Sequence, residues 1–325
     1  MKNKKILLSI GVFVLAALIP LVLKVPYHLH ILNLIIIWAI LGTAWNILGG
    51  YAGQISFGHA AFFGLGAYTA GLLKLHLGIS PWWGMLLGPL VATIVSLPIG
   101  FICFRLRGPY FALAMLSLGE IFRLLFTNLQ SFTNGAKGIL IMPAVISKVF
   151  YFYVGLGILA LTILVTYLLV NSKIGYYLVS IREDQDAATS LGIPTTLYKN
   201  LALIPSAFIT GLAGAFYMNY VAFIDPRIVF SLPNVSIMLI LVVMLGGPAT
   251  IWGPTIGAVI YISLGELFRA TLGSANVLVF GLLVCIIILF VPNGIAGEME
   301  RVKSWLQRRK IDVPGGEKDE LLRSQ

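Results

Sequence analysis

Long apolar runs, separated by short polar or glycine-rich segments, follow one another along most of the chain. With a window of about 19 residues and a required length of about 20 apolar residues, this pattern predicts about ten membrane-spanning helices. Glycine and proline interrupt the third and the eighth of them. The predicted limits are 6–23, 30–48, 53–73, 82–104, 109–127, 149–170, 199–220, 231–247, 253–269 and 275–293. The sequence therefore predicts an all-α, polytopic membrane protein.

The composition supports this prediction and favours one membrane domain. Of 325 residues, 59% are hydrophobic and only 10% are charged, far from the averages of soluble domains. No polar insertion is long enough to bury a core of its own, so we expect one transmembrane domain over 1–297 and a polar C-terminal tail over 298–325. The first apolar run lacks a small-x-small cleavage pattern, which favours an uncleaved first span over a signal peptide.

The net charge is +10, and the positions of the basic residues indicate the topology in the membrane. The basic residues do not gather on one face or in an aromatic-rich module, which argues against nucleic acid as a partner. With the N-terminus in the cytoplasm, roughly 15 basic residues fall on the cytoplasmic side, as the positive-inside rule requires. We therefore expect both termini in the cytoplasm. The two cysteines lie in apolar runs, and their spacing suggests neither a metal site nor a disulfide framework.

A polar island at 180–192 predicts a short cytoplasmic helix. Ser180 and Glu183 have capping-box spacing, so the helix is expected to begin at Ser180. Gly192 followed by Pro194 predicts its end. About ten residues make a helix of about 15 Å, half of a bilayer core. The segment is either a solvated connector or a contact for another protein.

Polar side chains also occur at membrane depth, within the glycine-rich segment 46–73. Gln54, Ser56 and His59 lie where glycines weaken the helix. Because polar groups in a bilayer need partners or water, this combination predicts a broken or re-entrant helix beside an aqueous path. Hydrogen bonding between helices is the alternative.

Two acid–base pairs fall within predicted spans, Glu120 with Arg123 and Glu266 with Arg269. Partners three residues apart share a helix face and can neutralise each other, which lowers the cost of placing them in a membrane. We interpret each as an internal or interfacial salt bridge, with a gate or proton relay as the alternative.

Several of these segments together resemble one family. The chain is similar to the permease subunits of branched-chain amino acid ABC importers, and in particular to the LivM-type partner of a LivH-type permease. The motifs that carry the resemblance are Gly50-Tyr51-Ala52-Gly53-Gln54-Ile55-Ser56-Phe57-Gly58-His59, Gly66-Ala67-Tyr68, Arg105-Leu106-Arg107-Gly108-Pro109-Tyr110-Phe111-Ala112, Ile181-Arg182-Glu183-Asp184, Ala187-Ala188, Leu191-Gly192-Ile193 and Leu245-Gly246-Gly247.

The resemblance implies residue roles. Asp186, Ala187, Ala188, Gly192 and Pro205 fit the permease signature that contacts the ATPase. The residues expected to couple to an ATPase are Arg182, Glu183, Asp184, Asp186, Ala187, Ala188 and Gly192. Candidates for the translocation path are Gln54, Ser56, His59 and Tyr110. No catalytic residue and no metal ligand is expected.

The resemblance also implies partners. No Gly-x-x-x-x-Gly-Lys-Ser/Thr phosphate loop occurs in the chain, so it is expected to hold no cofactor and to be no ATPase, with ATP and Mg on two ATP-binding cassette subunits. A LivH-type permease, the lipid bilayer and an extracytoplasmic solute-binding protein, which the loop 133–138 would face, complete the expected assembly. The expected location is the cytoplasmic membrane of a bacterium or archaeon.

Other functions stay open. Related permeases serve urea or short amides, and the sequence does not choose among these substrates. A proton-coupled secondary transporter that uses Glu120 or Glu266 is a second class of function. A membrane enzyme ranks last, because no nucleophile–base or metal-ligand arrangement emerges.

Overall fold

The computed structural model describes residues 2–22, 25–142, 145–291 and 293–298, and most of them are helical. The α-helices are α1 Lys2–Val22, α2 Pro26–Asn46, α3 His59–Leu77, α4 Gly84–Cys103, α5 Pro109–Asn128, α6 Gln130–Thr133, α7 Lys148–Val170, α8 Lys173–Glu183, α9 Gln185–Ser190, α10 Thr195–Val221, α11 Pro226–Val229, α12 Met238–Gly246, α13 Gly253–Leu272 and α14 Asn276–Phe290.

Helices long and apolar enough to cross a membrane make up nearly half of the described residues. Six segments meet both criteria: Pro26–Tyr51, Pro81–Cys103, Pro109–Asn128, Lys148–Val170, Thr195–Val221 and Gly253–Leu272. Shorter apolar helical segments lie at Gly11–Leu21, Leu232–Gly246 and Leu278–Ile287. The predicted all-α polytopic membrane protein is confirmed, whereas the number of ten spans stays a prediction.

Two of the predicted spans differ from the structure at their beginnings. After α2 the chain forms a π-helical turn over Ile47–Tyr51, and residues 52–58 are not helical, so α3 begins at His59 and not at residue 53. The predicted eighth span begins as a π-helix, Leu232–Ile237, before α12. Glycine weakens the helix in the first case. In the second, a proline lies in the first turn, a position that helices tolerate.

The helices α2 and α10 form the centre of the described fold. α2 packs against α7 and α13, and α10 packs against α3 and α4. Helix contact in lipid depends on close packing, which small residues permit. A Cβ on Gly66 would lie 1.9 Å from the carbonyl oxygen of Gly211, and one on Gly214 would lie 2.0 Å from that of Phe63. These glycines therefore fix the distance between α3 and α10.

A two-stranded antiparallel sheet lies at the C-terminal end of α10. Strand β1, Ile139–Leu140, pairs with β2, Phe223–Ile224. Ile139 and Ile224 face each other and are fully buried. The sheet thus ties the loop after α6 to the end of α10.

The predicted C-terminal tail, 298–325, lies outside the described residues except for Glu298. The expected cytoplasmic location of that tail therefore stays a prediction, as do the domain limits.

Candidate coupling helix and membrane pathway

The polar island contains the end of one helix and the start of another, and the predicted helix start at Ser180 is wrong. Ser180 lies in the last turns of α8, where its hydroxyl donates to the carbonyl of Tyr176 at 3.0 Å. The break falls at Asp184, whose side chain accepts hydrogen bonds from the backbone N–H groups of Asp186 and Ala187 at 2.8 and 3.0 Å. Asp184 is therefore the N-cap of α9.

The end of the island agrees with the sequence prediction. α9 ends at Ser190, and Gly192 has a φ of +83°. The N–H of Ile193 reaches back to the carbonyl of Ala188 at 3.1 Å, a contact typical of a glycine-terminated helix. The candidate coupling helix, α9, is thus shorter than 180–192.

One face of α9 packs against the rest of the protein, and the opposite face is exposed. Ala188 is buried, whereas Asp186, Ala187 and Leu191 are exposed, Leu191 with 82% of its surface. An exposed carboxylate beside an exposed leucine makes a surface with both charged and apolar character, suited to contact with another protein.

Two basic side chains hold α9 against neighbouring segments. Lys199 of α10 has no exposed surface, and its Nζ donates to Oε1 of Gln185 at 2.6 Å. Arg107, in the loop between α4 and α5, pairs with Asp186 at 2.6 Å, and both side chains are largely exposed. The buried contact fixes α9 to α10, whereas an exposed ion pair of this kind contributes little to stability.

Arg182 connects the end of α8 with the break after α2. Its guanidinium pairs with Glu183 at 2.6 Å, and its Nη1 donates to the carbonyl of Gly50 at 3.3 Å. Gly53 has a φ of +68°, and a Cβ there would lie 2.7 Å from Cγ of Arg182. Only glycine permits both the backbone conformation and this approach.

A second break lies against the first. Leu245-Gly246-Gly247 at the end of α12 repeats Leu48-Gly49-Gly50 after α2. Asn46 joins the two, because its Nδ2 donates to the carbonyl of Thr250 at 2.8 Å and its Oδ1 accepts from the N–H of Ala249 at 2.8 Å. The contacts of Arg182 and Asn46 therefore reach from α8 to both breaks.

Ser56, His59 and Ser206 form a chain of hydrogen bonds that ends at the backbone carbonyl of Ala44. The ring nitrogens of His59 lie 3.1 Å from Oγ of Ser56 and 2.9 Å from Oγ of Ser206, which donates to the carbonyl of Ala44 at 2.7 Å. Since the Ser206 proton is already used, Nε2 of a neutral His59 is the donor to Ser206, and Nδ1 accepts from Ser56. Ser56, His59 and Ser206 have no exposed surface.

The helix break predicted in this segment is confirmed, and the observed contacts are those of interhelical hydrogen bonding. Gln54 is half-buried and donates to the carbonyl of Ala52 at 3.2 Å. Tyr110 is 71% exposed at the start of α5. The structure thus brings Ser56 and His59 together, keeps Gln54 in the same break, and places Tyr110 on a different element.

Both acid–base pairs predicted from the sequence are formed. Arg123 donates two hydrogen bonds to the carboxylate of Glu120, from Nε to Oε2 at 2.8 Å and from Nη2 to Oε1. Arg269 lies 3.4 Å from Glu266, which also accepts the hydroxyl of Tyr27 at 3.0 Å.

Sequence reasoning missed the residues whose contacts cross between elements. In the sequence analysis, Lys199 was counted only among the basic residues, and position 46 marked only the start of the glycine-rich segment. A signal existed for Lys199, because a lysine within a predicted span needs a partner or water. Nothing in the sequence indicated that Asn46 would bridge two breaks about 200 residues apart.

The sequence model of a family described as the branched-chain amino acid transport system / permease component matches residues 27–292. The chain belongs to this permease family. The match covers every element from α2 to α14, so the break after α2 and the helix α9 both lie within the family's domain. The resemblance stated from the motifs is confirmed.

Two relatives match most of this chain and about seven tenths of their own length. The high-affinity branched-chain amino acid transport system permease protein LivM of Salmonella typhimurium is 28% identical over 295 residues, 82% of this chain and 69% of that protein. The LivM protein of Escherichia coli is 27% identical over 316 residues, 86% of this chain and 74% of that protein. PsaBC from Streptococcus pneumoniae, solved in complex with Fab, aligns over 84% of this chain and 93% of its own with a TM-score of 0.42 and 16% identity.

Proposed function

We propose that this chain is a permease subunit of an ATP-driven ABC importer that moves branched-chain or related amino acids inward across the cytoplasmic membrane by alternating access. The family match over 27–292 and the LivM relatives support the substrate class. The observation that carries the mechanism is α9, a capped helix too short to cross a membrane, with one face free for a partner.

The free energy for uphill transport comes from outside this chain. Its sequence contains no Gly-x-x-x-x-Gly-Lys-Ser/Thr phosphate loop. ATP and Mg²⁺ therefore belong to two ATP-binding cassette subunits. These subunits contact the segment that contains Arg182, Glu183, Asp184, Asp186, Ala187, Ala188 and Gly192.

Contacts described above give a route from α9 into the membrane domain. The Lys199–Gln185 bond connects α9 to α10, and Arg182 connects the end of α8 to Gly50. A rigid-body movement of α8 and α9, of the kind that shifts packed helices in switching proteins, would thus displace α10 and the break after α2 together.

The complete transporter contains further partners. A LivH-type permease supplies the second half of the pathway, in which Gln54, Ser56, His59 and Tyr110 are the polar candidates of this chain. An extracytoplasmic solute-binding protein delivers the amino acid to the face that carries 133–138. Both termini of this chain face the cytoplasm.

The experiment is ATP-dependent uptake by the full complex in proteoliposomes, with and without Ala188→Pro. Proline at 188 removes the hydrogen bond from this N–H to the carbonyl of Asp184, 3.1 Å in length, and breaks α9. We expect uptake and the ATPase stimulation by loaded binding protein to be lost. Thr189→Ala on the exposed side of α9 is the matched control and should transport normally. Unchanged uptake by the proline variant would refute the proposal.

The same vesicles separate the alternatives. A proton-coupled carrier that uses Glu120 or Glu266 would accumulate solute as the isolated chain, driven by a pH gradient without ATP. The proposed permease accumulates nothing alone. Competition of uptake by urea or short amides, together with mass spectrometry of the solute held by the binding protein, tests the alternative substrates.

A further inference from the structure

The helix α5 carries a charged pair on a face that the rest of the described chain leaves open. Its buried residues are Phe111, Met115, Gly119 and Phe126, a single stripe. Glu120 and Arg123 lie beside this stripe, with 47% and 29% of their side chains exposed. Glu120 lies near the middle of a helix that is long and apolar enough to span the membrane.

Hydrocarbon is a poor neighbour for this pair. Charged side chains at the centre of a bilayer are costly and face protein or a water-filled cavity. The bidentate contact between Arg123 and Glu120 removes the net charge, but the outer edges of both groups still need polar neighbours. The exposed face of α5 therefore borders an aqueous path or another subunit.

An apolar groove lies one helical turn from the pair. Its volume is about 460 Å³, and α3 contributes most of its walls, with one residue each from α4, α5 and α6. The residues used here are Leu65, Tyr68, Thr69, Leu72, Phe126 and Phe132. Phe126 follows Arg123 by three residues and is its neighbour on the helix surface.

The groove also contains a polar atom without a partner. The hydroxyl of Tyr68 is buried and has no hydrogen-bond partner among the described residues. Buried hydroxyls usually have a hydrogen-bond partner, so an unsatisfied one in the wall of a groove marks a position where a water molecule or a ligand can bind. The groove and the ion pair together thus have one positive group, one negative group, one free hydroxyl and an apolar wall.

We propose that Glu120 and Arg123 bind the ammonium and the carboxylate groups of a zwitterionic amino acid in transit, and that the adjacent groove receives its branched aliphatic side chain. This inference rests on the proposed function and deepens it by assigning a subsite in the membrane. The two charged groups of the substrate replace the contacts that Glu120 and Arg123 make with each other.

The exchange keeps the site neutral at every stage. Before binding, the carboxylate and the guanidinium neutralise each other, and after binding each is neutralised by the opposite charge of the substrate. No isolated charge is left in the membrane, so release restores the original ion pair without a large desolvation cost. Such a site binds weakly and transiently, as passage through the membrane requires.

The second pair differs in ways that make it a control. Glu266 already accepts the hydroxyl of Tyr27, and Arg269 lies in the last turn of α13 with 73% of its side chain exposed. That position is at the end of a span, where water can solvate both charged groups. Glu266 and Arg269 therefore stabilise a helix end and bind no substrate.

The first test is leucine uptake by the full complex in proteoliposomes. Glu120→Gln and Arg123→Gln should each lower uptake about tenfold or more, because each removes a charge-assisted hydrogen bond to the substrate. ATPase stimulation by loaded binding protein should persist. Glu266→Gln and Arg269→Gln should change uptake less than about twofold. Normal uptake by either α5 variant would overturn the inference.

A charge swap separates binding from a structural salt bridge. Glu120→Arg combined with Arg123→Glu re-forms the ion pair but reverses its direction relative to the groove. We expect uptake to stay low. Recovery of uptake in the swapped protein would show that only the bridge matters and would overturn the inference.

The groove gives an independent measurement that does not depend on these charges. Thr69→Phe fills it and should lower leucine uptake several-fold more than alanine uptake, because a smaller side chain still fits. An unchanged leucine-to-alanine ratio would refute the role of the groove, even where a charge variant fails to assemble.

Direct binding distinguishes this inference from the proposed function. The complex should bind leucine more tightly than 4-methylpentanoate, which lacks the ammonium group, and 3-methylbutylamine, which lacks the carboxylate. If the wild-type complex shows no ATP-dependent uptake, the proposed function fails, and this comparison still decides the inference. Equal binding of the three compounds would overturn it.

Discussion

Asn46 shows how much of the arrangement depends on one side chain. It is fully buried at the end of α2 and satisfies one N–H and one carbonyl of the second break, at Ala249 and Thr250. The residue thus holds two interrupted segments at a fixed distance. A Cβ on Gly50 would lie 1.9 Å from Oδ1 of Asn46, so the neighbouring position has no room for a side chain.

Replacement of Asn46 by leucine should destabilise the protein. The change leaves a buried N–H and a buried carbonyl without partners, each at a cost of about 1–3 kcal/mol. We expect a lower midpoint of thermal unfolding for the purified complex in detergent. Asn128→Leu is the control, because that side chain is exposed and bonds only within its own helix, to Leu124. Equal midpoints for the two variants would contradict the bridging role.

Sequence reasoning at the residue scale succeeded where a signal was local. Glycines and polar side chains predicted the break before His59, and Gly192 predicted the end of α9. Ser180 was wrong as a cap because capping-box spacing also occurs inside helices, and only the backbone at Asp184 shows which residue leaves the helix. The Arg182–Gly50 contact joins residues 132 positions apart, a distance over which spacing carries no information.

Among the helices, α9 is short, and its stability depends on its N-cap and on contacts with neighbouring segments. The helix has six residues, too few to be stable in isolation. The side chain of Asp184 satisfies two of its first N–H groups, and the Lys199–Gln185 bond fixes it to α10. Loss of the cap therefore exposes the whole element to fraying.

Asp184→Ala should loosen α9, whereas Ser180→Ala should not. Removal of an aspartate cap costs about 1 kcal/mol, and Asp184→Ser should restore much of it. We expect faster amide hydrogen exchange over 185–190 in the alanine variant and lower ATPase stimulation. Ser180 donates only to the carbonyl of Tyr176, inside α8, so its loss should leave exchange in α9 unchanged. The reverse result would restore Ser180 as the cap.

The long apolar helices were predicted well, and the interrupted ones were not. The predicted spans 109–127 and 149–170 agree closely with α5 and α7. The predicted span 53–73 began too early, because mean hydropathy does not separate a glycine-rich extended segment from a helix. The sequence predicted a break in this segment, but only hydrogen-bond geometry shows that the helix resumes at His59.

For the whole molecule, the order of helices predicts which faces lie on opposite sides of the membrane. Between the loop after α6 and the end of α9, α7 is long enough to cross, with 23 residues, whereas α8 has 11. A membrane-impermeant maleimide should therefore label Ala136→Cys in intact cells and Ser190→Cys only after lysis, in a background with Cys103 and Cys285 changed to serine. Labelling of both sites from outside would contradict the proposed topology.

The sequence could predict the class of the whole molecule but not its surfaces. Composition and apolar runs sufficed for a polytopic membrane protein. The groove beside α5 could not be predicted, because its walls come from segments that hydropathy treats as ordinary spans. Its unsatisfied Tyr68 hydroxyl became visible only once the neighbours of that side chain were known.

The length of α10 connects the two faces of the protein directly. The helix has 27 residues, about 40 Å at the usual rise, and runs from just after α9 to just before β2. Pro205, near the middle of α10, has no N–H to donate to the helix hydrogen bonds. Ser206 beside it is hydrogen-bonded to Ala44 and His59. A tilt about this pivot would move the two ends of α10 in opposite directions, so a displacement of α9 at one end would be carried to the strand pair β1–β2 at the other.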